Sequence, residues 1–264
     1  MQPLPDLAAL AGIRIVLVGT QHPGNIGAAA RAMKTMGLHR LALVAPERQT
    51  DRDTHAMAAG ADDLVEAAPR LATLAEAVAD CAWVLGCTAR SRRIQLEPLA
   101  PHDAAARALA AAAAGPVALV FGRERTGMTN EELQLCHAAV HIPSDPQFPS
   151  LNLAAAVQLV AWEVREAALA QEPRDVPART APPTGAVASH AELEGLFGQL
   201  ADTLEAIDFH KGRAPESAMR KLRRLYLRAN LDSADVRLLR GVLADAQRMA
   251  RLAGQGAPPA DRMG

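Results

Sequence analysis

The 264-residue sequence has few aromatic residues, few cysteines and almost no net charge. Its aromatic side chains are two Trp, one Tyr and four Phe. A protein that stacks single-stranded bases on a platform of rings needs more of them, so this class of nucleic-acid binder is disfavoured. The net charge of -1 argues in the same way against a basic coat over the whole protein.

Cysteines and long apolar runs are also scarce. Cys81, Cys87 and Cys136 are too few and too unevenly spaced for a disulfide framework, and no Cys-x-x-Cys pair is present to hold zinc. The amino terminus has no basic leader, and no apolar stretch reaches the length of a bilayer span. We therefore expect a cytoplasmic protein with no membrane association and no metal.

The charge is unevenly distributed along the chain. Residues 1–170 carry a net charge of -3 and residues 171–264 a net charge of +2. Within the second part, residues 210–251 contain 11 Lys and Arg against 4 Asp and Glu. Near-neutrality of the whole chain thus conceals a basic segment, which favours an anionic partner there.

Residues 13–170 alternate short aliphatic runs with longer Ala- and Leu-rich segments, a pattern typical of a parallel sheet covered by helices. The predicted strands, apolar throughout as strands buried on both faces are, are 13–18, 41–44, 82–85, 117–121 and 139–142. The predicted helices between and after them are 26–36, 71–79, 103–114, 130–135 and 153–170. Trp83 and Trp162 are expected to fill the core of this α/β domain.

The rest of the chain is predicted to form a separate helical domain. Residues 171–186 contain four prolines and no hydrophobic period, which is typical of a linker. Three helices are predicted at 189–209, 216–228 and 233–252, the last capped by Asp232 or Ser233. The predicted division is therefore a domain at 1–170, a linker at 171–186, a small basic all-α domain at 187–254 and a frayed tail at 255–264.

The first candidate site is the loop after the first strand. Residues 19–27 read GTQHPGNIG and run into a helix that carries Arg31. Asn25 is well suited to cap this helix, and a helix start with a nearby arginine can bind an anion. An ordinary strand-to-helix turn with a solvated arginine explains the spacing equally well. The Gly-x-Gly-x-x-Gly dinucleotide fingerprint is absent.

Two further loops follow predicted strands. Residues 86–93, GCTARSRR, combine small residues that leave room for a ligand with three arginines. A solvated basic loop is the alternative interpretation of this segment. Residues 121–129, FGRERTGMT, fit a phosphate-binding loop except that Met128 replaces the required lysine. Glu124, between Arg123 and Arg125, could orient the two arginines or form a structural ion pair.

The fourth candidate site is the proline-studded loop at residues 143–153, PSDPQFPSLNL, before a long predicted helix. Ser150 or Asn152 can cap that helix, and one cap is enough for this purpose. The presence of both after so irregular a loop indicates a second role for this backbone.

Taken together, these segments resemble the three motifs of the SPOUT methyltransferases in the TrmH branch. The resemblance rests on residues 20–27 with Arg31, on residues 121–127, and on SLNLA at residues 150–154. The runs ARAMKTMGL at 30–38 and KLRRL at 221–225 are similar to the bacterial TrmJ enzymes, which methylate the 2'-hydroxyl of nucleotide 32 in the tRNA anticodon loop. The resemblance covers nearly the whole chain, and the motifs occur in the same order and spacing.

The resemblance implies a SPOUT fold with a deep trefoil knot formed by the loops near residues 86–91, 121–128 and 142–152. It also implies a homodimer whose active sites combine residues of both subunits, and S-adenosylmethionine as the cofactor. The residues expected to contact the cofactor are Cys87, Thr88, Ala89, Gly122, Ile142, Ser150, Leu151 and Asn152.

The resemblance implies Arg31, Asn25, Glu124 and Ser150 as catalytic residues, with Arg31 activating the ribose hydroxyl. Because a guanidinium is essentially never deprotonated, we favour a role in which Arg31 binds the adjacent phosphate and lowers the hydroxyl pKa. The positions expected to contact tRNA are Arg90, Arg92, Arg123, Arg213, Arg220, Lys221, Arg223, Arg224 and Arg228.

Three alternatives remain at this point. A 2'-O-methyltransferase for another tRNA position or for ribosomal RNA fits the same motifs. A P-loop nucleotide hydrolase is disfavoured by Met128. A non-catalytic RNA-binding module would not need Asn25, Arg31, Glu124 and Ser150 together, and a helical tail that only stabilises the dimer is the alternative to tRNA docking.

Overall fold

The computed structural model describes residues 8–88, 96–170, 187–212 and 214–255. The chain divides into two compact units, Met1–Ala181 and Pro182–Gly264. Among the described residues, no helix is long and apolar enough to cross a membrane. The same residues contain no group of three or more His, Cys, Asp or Glu side chains that could hold a metal ion.

The first unit is built on a seven-stranded parallel sheet with the order β3-β2-β1-β6-β4-β7-β5. Its strands are β1 Ile13–Val18, β2 Arg40–Val44, β3 Arg70–Leu71, β4 Trp83–Cys87, β5 Glu97–Leu99, β6 Val117–Phe121 and β7 Ala138–Val140. Phe121 of β6 pairs with Leu17 of β1 on one side and with Cys87 of β4 on the other. This register brings the carboxyl ends of the three central strands to one edge.

In the described part of this unit, seven helices cover the sheet, after a short 3-10 helix at Ala8–Gly12. They are α1 Pro23–Thr35, α2 Arg52–Ala58, α3 Asp62–Ala67, α4 Leu74–Val78, α5 Pro101–Ala112, α6 Asn130–Gln134 and α7 Leu153–Leu169. One apolar cluster joins α1, α5 and α7 to one sheet face, and a second joins α4 and α6 to the other. Helices therefore lie on both faces, as a parallel sheet requires.

All five predicted strands and all five predicted helices of this unit are present; the strands 13–18 and 117–121 have the predicted ends, and the ends of the others are shifted. The prediction missed β3, β5, α2 and α3. The two strands have only two and three residues and lie at the sheet edges, where an apolar run is not needed. The two helices span seven and six residues, too few for a helical period to be recognised.

The two tryptophans have different environments. Trp83 is 6% exposed and belongs to the core, as predicted. Trp162 is 46% exposed within the chain, so the core prediction for it is wrong. Helix α7 buries Val157, Val160 and Val164 on its inner face, which leaves Trp162 pointing away from the sheet.

The described part of the second unit consists of α8 His190–Ala206, α9 Pro215–Ala229 and α10 Ser233–Gln255. Leu193, Leu196 and Phe197 of α8 pack with Leu227 of α9 and Val236 of α10. Asp232 accepts hydrogen bonds from the amides of Ala234 and Asp235, which confirms it as the cap of α10. The predicted linker 171–186 lies outside the described residues.

Gly27 allows α2 to pack directly against α1. A Cβ on Gly27 would lie 1.9 Å from the carbonyl oxygen of Thr54 and 2.8 Å from the amide nitrogen of Ala58, both backbone atoms of α2. A Cβ on Gly24, one turn earlier, would have only the Met57 side chain nearby, at 3.5 Å. Close helix packing thus depends on one of the two motif glycines.

We expect Gly27→Ala to lower the free energy of unfolding by about 2–3 kcal/mol, because the added methyl group must push two backbones apart. Gly24→Ala, on the same helix, serves as the control and should be neutral or slightly stabilising. Urea unfolding followed by circular dichroism measures both. Equal stability of the two variants would contradict the close packing.

Candidate functional site

A pocket opens at the carboxyl ends of β4 and β6. Its lining comes from the segments that follow β4, β6 and β7 and from the start of α7, namely Cys87, Thr88, Phe121, Gly122, Arg123, Glu124, Arg125, Thr126, Gly127, Ile142, Pro149, Ser150, Leu151, Leu153 and Ala156. The carboxyl edge of a parallel sheet is where α/β proteins bind their ligands. Three segments far apart in sequence thus form one concave surface.

The pocket wall includes a tight backbone turn at Gly122. A Cβ there would lie 2.4 Å from both the carbonyl carbon of Gly127 and the amide nitrogen of Met128. The turn is closed by paired backbone hydrogen bonds between Arg123 and Gly127. Glycine at 122 is therefore needed for the loop to fold back on itself.

Cys87 lies against the pocket at the end of β4. Burial raises the pKa of its thiol to about 12. The thiol is therefore neutral at physiological pH and offers an apolar contact, not a nucleophile or a base.

Glu124 connects this pocket to the start of α1. Its carboxylate accepts hydrogen bonds from the amide of Gln21 at 2.9 Å, the amide of His22 at 3.1 Å and Nδ2 of Asn25 at 2.8 Å. Neither of the two roles predicted for Glu124 is observed in the structure. Arg123 instead pairs with Glu132 at 3.0 Å, so the carboxylate is free to hold the loop after β1.

Hydrogen bonding also determines the charge of Glu124. Burial raises the pKa of this carboxyl, but the hydrogen bonds from Asn25 and from the amides of Gln21 and His22 outweigh it, so the pKa lies below its ordinary value. Glu124 is therefore a carboxylate at neutral pH, with its oxygens occupied by three donors.

Asn25 does not cap α1, contrary to the prediction. The helix begins at Pro23, so Asn25 lies within its first turn and its side chain is directed to Glu124. Its Oδ1 accepts a hydrogen bond from Nδ2 of Asn152 at 3.0 Å. Asn152 in turn caps α7 by accepting from the amides of Ala154 and Ala155. A continuous chain of hydrogen bonds thus joins all three motifs.

Arg31 lies further along α1 and is exposed to solvent. It forms no hydrogen bond or ion pair with the rest of the described chain. Six residues of helix separate it from Asn25, a rise of about 9 Å. An exposed guanidinium without a protein partner is available to a phosphate, as the prediction requires.

The structure brings most of the predicted cofactor residues together. Those that line the pocket are Cys87, Thr88, Gly122, Ile142, Ser150 and Leu151. Asn152 lies beside them and is engaged with Asn25. Ala89 is outside the described residues. The sequence interpretation missed the pocket contribution of Thr126, Gly127 and Pro149, although all three stand inside loops that it had selected.

The predicted RNA-binding positions fall into three groups. Arg90, Arg92 and Arg213 lie outside the described residues. Arg123 and Arg223 are engaged internally, the first with Glu132 and the second with Glu194 and the ring of Phe197, so a free cation at either position is not observed. Arg220, Lys221 and Arg228 are exposed on α9 and Arg224 is half-buried on the same helix.

The P-loop alternative is excluded by the position of Met128. Its side chain is 3% exposed and packs in the apolar cluster under α4 and α6. A lysine there could not reach a bound phosphate, because this position faces the core.

Comparison with known families agrees with the motifs. Residues 12–162 match the SpoU rRNA Methylase family, and residues 191–255 match the C-terminal domain of the tRNA methyltransferase TrmJ. The two matched segments correspond to the two units of the structure.

Curated relatives and solved structures extend the match to nearly the whole chain. The chain is 48% identical over 244 residues to the tRNA (cytidine/uridine/adenosine-2'-O-)-methyltransferase TrmJ of Pseudomonas aeruginosa, covering 90% of this chain and 95% of the relative. It is 47% identical over 239 residues to the tRNA (cytidine/uridine-2'-O-)-methyltransferase TrmJ of Salmonella typhimurium, with 90% and 97% covered. The crystal structure of TrmJ from Z. mobilis aligns with a TM-score of 0.76 at 35% identity, over 88% of this chain and 97% of that one.

Proposed function

The chain belongs to the SpoU methylase family and, within it, to the TrmJ tRNA methyltransferases, and we propose that it methylates the ribose 2'-hydroxyl of cytidine or uridine 32 in the tRNA anticodon loop. The methyl donor is S-adenosylmethionine. The observation that carries the proposal is the chain of hydrogen bonds Glu124–Asn25–Asn152, which joins the pocket to the helix that bears Arg31. The proposed location is the cytoplasm, which a tRNA substrate supports.

The pocket fits the proposed cofactor. The backbone turn at Gly122 and the segments after β4 and β7 line it, and Cys87, Ile142 and Leu151 offer apolar surface for an adenine ring. These residues would hold S-adenosylmethionine, with Thr88, Asn152 and the neighbouring Ala89. When bound, the cofactor supplies an electrophilic methyl group.

In the transfer the ribose oxygen gains an O–C bond, the S–C bond of the donor breaks and the hydroxyl proton leaves to solvent water. The protein must hold the ribose oxygen in line with that methyl group and ease the loss of this proton. Arg31 binds the phosphate next to the target ribose and stabilises the developing oxyanion electrostatically, because a guanidinium cannot accept the proton. Asn25 and Ser150 orient the nucleotide and the cofactor. Glu124 fixes Asn25 and the loop after β1, and so acts as a positioning residue.

The proposal includes a SPOUT trefoil knot formed by the loops near 86–91, 121–128 and 142–152. Its support is that all three loops contribute to a single pocket. It also includes the division into a methyltransferase domain at 1–170, a linker at 171–186, a basic helical domain at 187–254 and a tail at 255–264.

The active form is proposed to be a homodimer. Support comes from the outer face of α7, where Leu159 and Trp162 are 40% and 46% exposed one turn apart. Phe148, in the loop before α7, is 81% exposed. Large apolar side chains grouped beside a functional pocket are typical of an interface.

Transfer of a labelled methyl group from S-adenosylmethionine to total tRNA, followed by nuclease mapping of the modified ribose, tests this function. Label at nucleotide 32 supports it. The family name refers to ribosomal RNA, so methylation of another tRNA position or of ribosomal RNA is the second candidate, and label found only there would replace the first. No transfer to any RNA would indicate a non-catalytic RNA-binding protein.

The second unit is proposed to bind the tRNA backbone through Arg220, Lys221, Arg224 and Arg228 of α9 and through Arg213, which precedes this helix in the sequence. We expect the combined change of Arg220, Lys221 and Arg228 to Gln to raise the KM for tRNA about tenfold at moderate salt and to reduce the salt dependence of binding. Arg248→Gln, whose guanidinium already pairs with Asp245 on α10, is the control. Unchanged kinetics would favour a structural role in the dimer.

A further inference from the structure

Two exposed arginines, Arg48 and Arg52, lie between β2 and the start of α2. Neither forms a hydrogen bond or an ion pair with another described residue. Other arginines of this unit are engaged, for example Arg14 with Asp80 and Arg107 with Glu97. A guanidinium without a partner is available to an external anion.

The segment that carries these arginines is fastened to the candidate site. The amide of Glu47 donates to the carbonyl oxygen of Thr20 at 3.1 Å, and the Gln21 side chain donates to the Glu47 carboxylate at 3.2 Å. Gln21 also donates its backbone amide to Glu124. Arg48 therefore projects from a segment held by the same loop that Glu124 anchors.

Helix α2 is also held in place by hydrogen bonds and packing. Asp51 and Thr54 form a reciprocal capping box, and Thr50 accepts a hydrogen bond from Arg70 at 2.7 Å. The contact of Gly27 with Thr54 and Ala58 then holds α2 against α1, one helical turn before Arg31. Arg52, at the first position of α2, is thus presented on a rigid element beside the helix of Arg31.

Most of the unpaired arginines described in the first unit lie in segments connected to one edge of the sheet. Among its described residues, Arg31, Arg48, Arg52 and Arg125 lie on or after segments at the carboxyl edge of the sheet. Arg40 is also exposed, but it begins β2 and so lies at the opposite edge. Arg48, Arg52 and Arg125 are therefore exposed arginines without a described partner in segments that follow strands at the edge where the pocket opens.

We propose that residues 45–58 form a second RNA-binding wall of the active site, in which Arg48 and Arg52 contact phosphates flanking the target nucleotide. The inference deepens the proposed function, since it assigns the substrate contacts of the same site. A nucleotide held at Arg31 carries phosphates on both sides, and a rigid pair of arginines beside α1 binds the neighbouring backbone without reading its sequence.

The test uses the full-length chain with Arg48→Glu, Arg52→Glu and the double variant, and with Arg40→Glu as the matched control. KM and kcat for tRNA are measured over a salt series, and cofactor affinity by calorimetry. We expect each reversal at 48 or 52 to raise KM about tenfold near 0.1 M salt and to reduce the slope of log affinity against log salt by about 1. The kcat, the cofactor affinity and all properties of Arg40→Glu should stay within twofold of wild type.

For both variants, a KM within twofold of the Arg40→Glu control together with a salt slope equal to that of the control would overturn the inference. Absence of methyl transfer by the wild-type chain would instead overturn the proposed function. In that case gel-shift affinity for tRNA, measured with the same variants, still decides whether residues 45–58 bind RNA.

Discussion

Arg31→Ala is expected to lower kcat for methyl transfer by about a hundredfold or more while cofactor affinity stays unchanged. Loss of one preorganised charge at a developing oxyanion typically costs this much. Arg31 is exposed and has no partner within the described chain, so its removal leaves no protein contact unsatisfied. The melting temperature should therefore remain that of wild type.

The Arg31→Lys variant keeps the positive charge but lacks the planar guanidinium group, so it tests which of the two is needed. If the planar fork binds phosphate through two hydrogen bonds, lysine should recover only part of the rate. Near-normal turnover would contradict a need for the fork and leave charge alone as the requirement. Lys34→Ala is the matched control, because Lys34 lies one turn further along α1 and is engaged with Asp63 and the carbonyl oxygen of Gly60.

Glu124→Gln is expected to lower kcat about tenfold to a hundredfold and also to lower the melting temperature. Three donors converge on the carboxylate. A glutamine has one acceptor oxygen where glutamate has two. Its NH2 group therefore faces at least one of the three donors, and that hydrogen bond is replaced by a repulsion between two N–H groups. Asn25 then loses its fixed orientation.

The size of the kcat loss tests the positioning role of Glu124. Glu131→Gln, an exposed substitution on α6, is the control and should be neutral. A fall in melting temperature without a fall in kcat would restrict Glu124 to a structural role. Partial recovery of kcat by Glu124→Asp, which keeps the charge, would support positioning.

The lowered pKa of Glu124 determines how the contribution of this carboxylate to stability changes with pH. Because the folded pKa lies below the ordinary value, the stabilisation is present above the ordinary pKa and is lost as pH falls through the lower folded pKa. We expect the acid unfolding of Glu124→Gln to lack this component. The difference in stability between wild type and variant, measured by denaturant unfolding from pH 7 downward, should shrink towards acid pH and vanish below the folded pKa.

Local sequence was sufficient for much of the fold. The strands β1, β2, β4, β6 and β7 are apolar runs, and the carboxyl edge of the sheet follows from their alternation with helices. Helix α7 is also predictable from local sequence, because its apolar residues recur with the helical period. The short edge strands β3 and β5 have no apolar run. They are strands because they pair with β2 and β7, which only the folded sheet brings beside them.

The candidate site likewise contains some residues that local sequence identifies and others that it does not. Glycines, Ser150 and Asn152 stand in loops that the sequence selects, and a cap at Asn152 is a local hydrogen bond between neighbours. The role of Asn25 could not be found in this way. Its partners Glu124 and Asn152 are 99 and 127 residues away, and a side chain suited to a helix cap is equally suited to a distant carboxylate.

The sequence by itself determined the two-part organisation, the parallel α/β character of the first part, the basic character of the second and the family of the chain. Only the tertiary structure decided that Glu124 holds the loop after β1, that Gly27 serves a helix contact, that Trp162 faces outward and that the segment with Arg48 and Arg52 is held against that loop and α1. Periodicity and capping depend on residues within a few positions of each other, whereas these contacts join segments that meet only after the sheet has assembled.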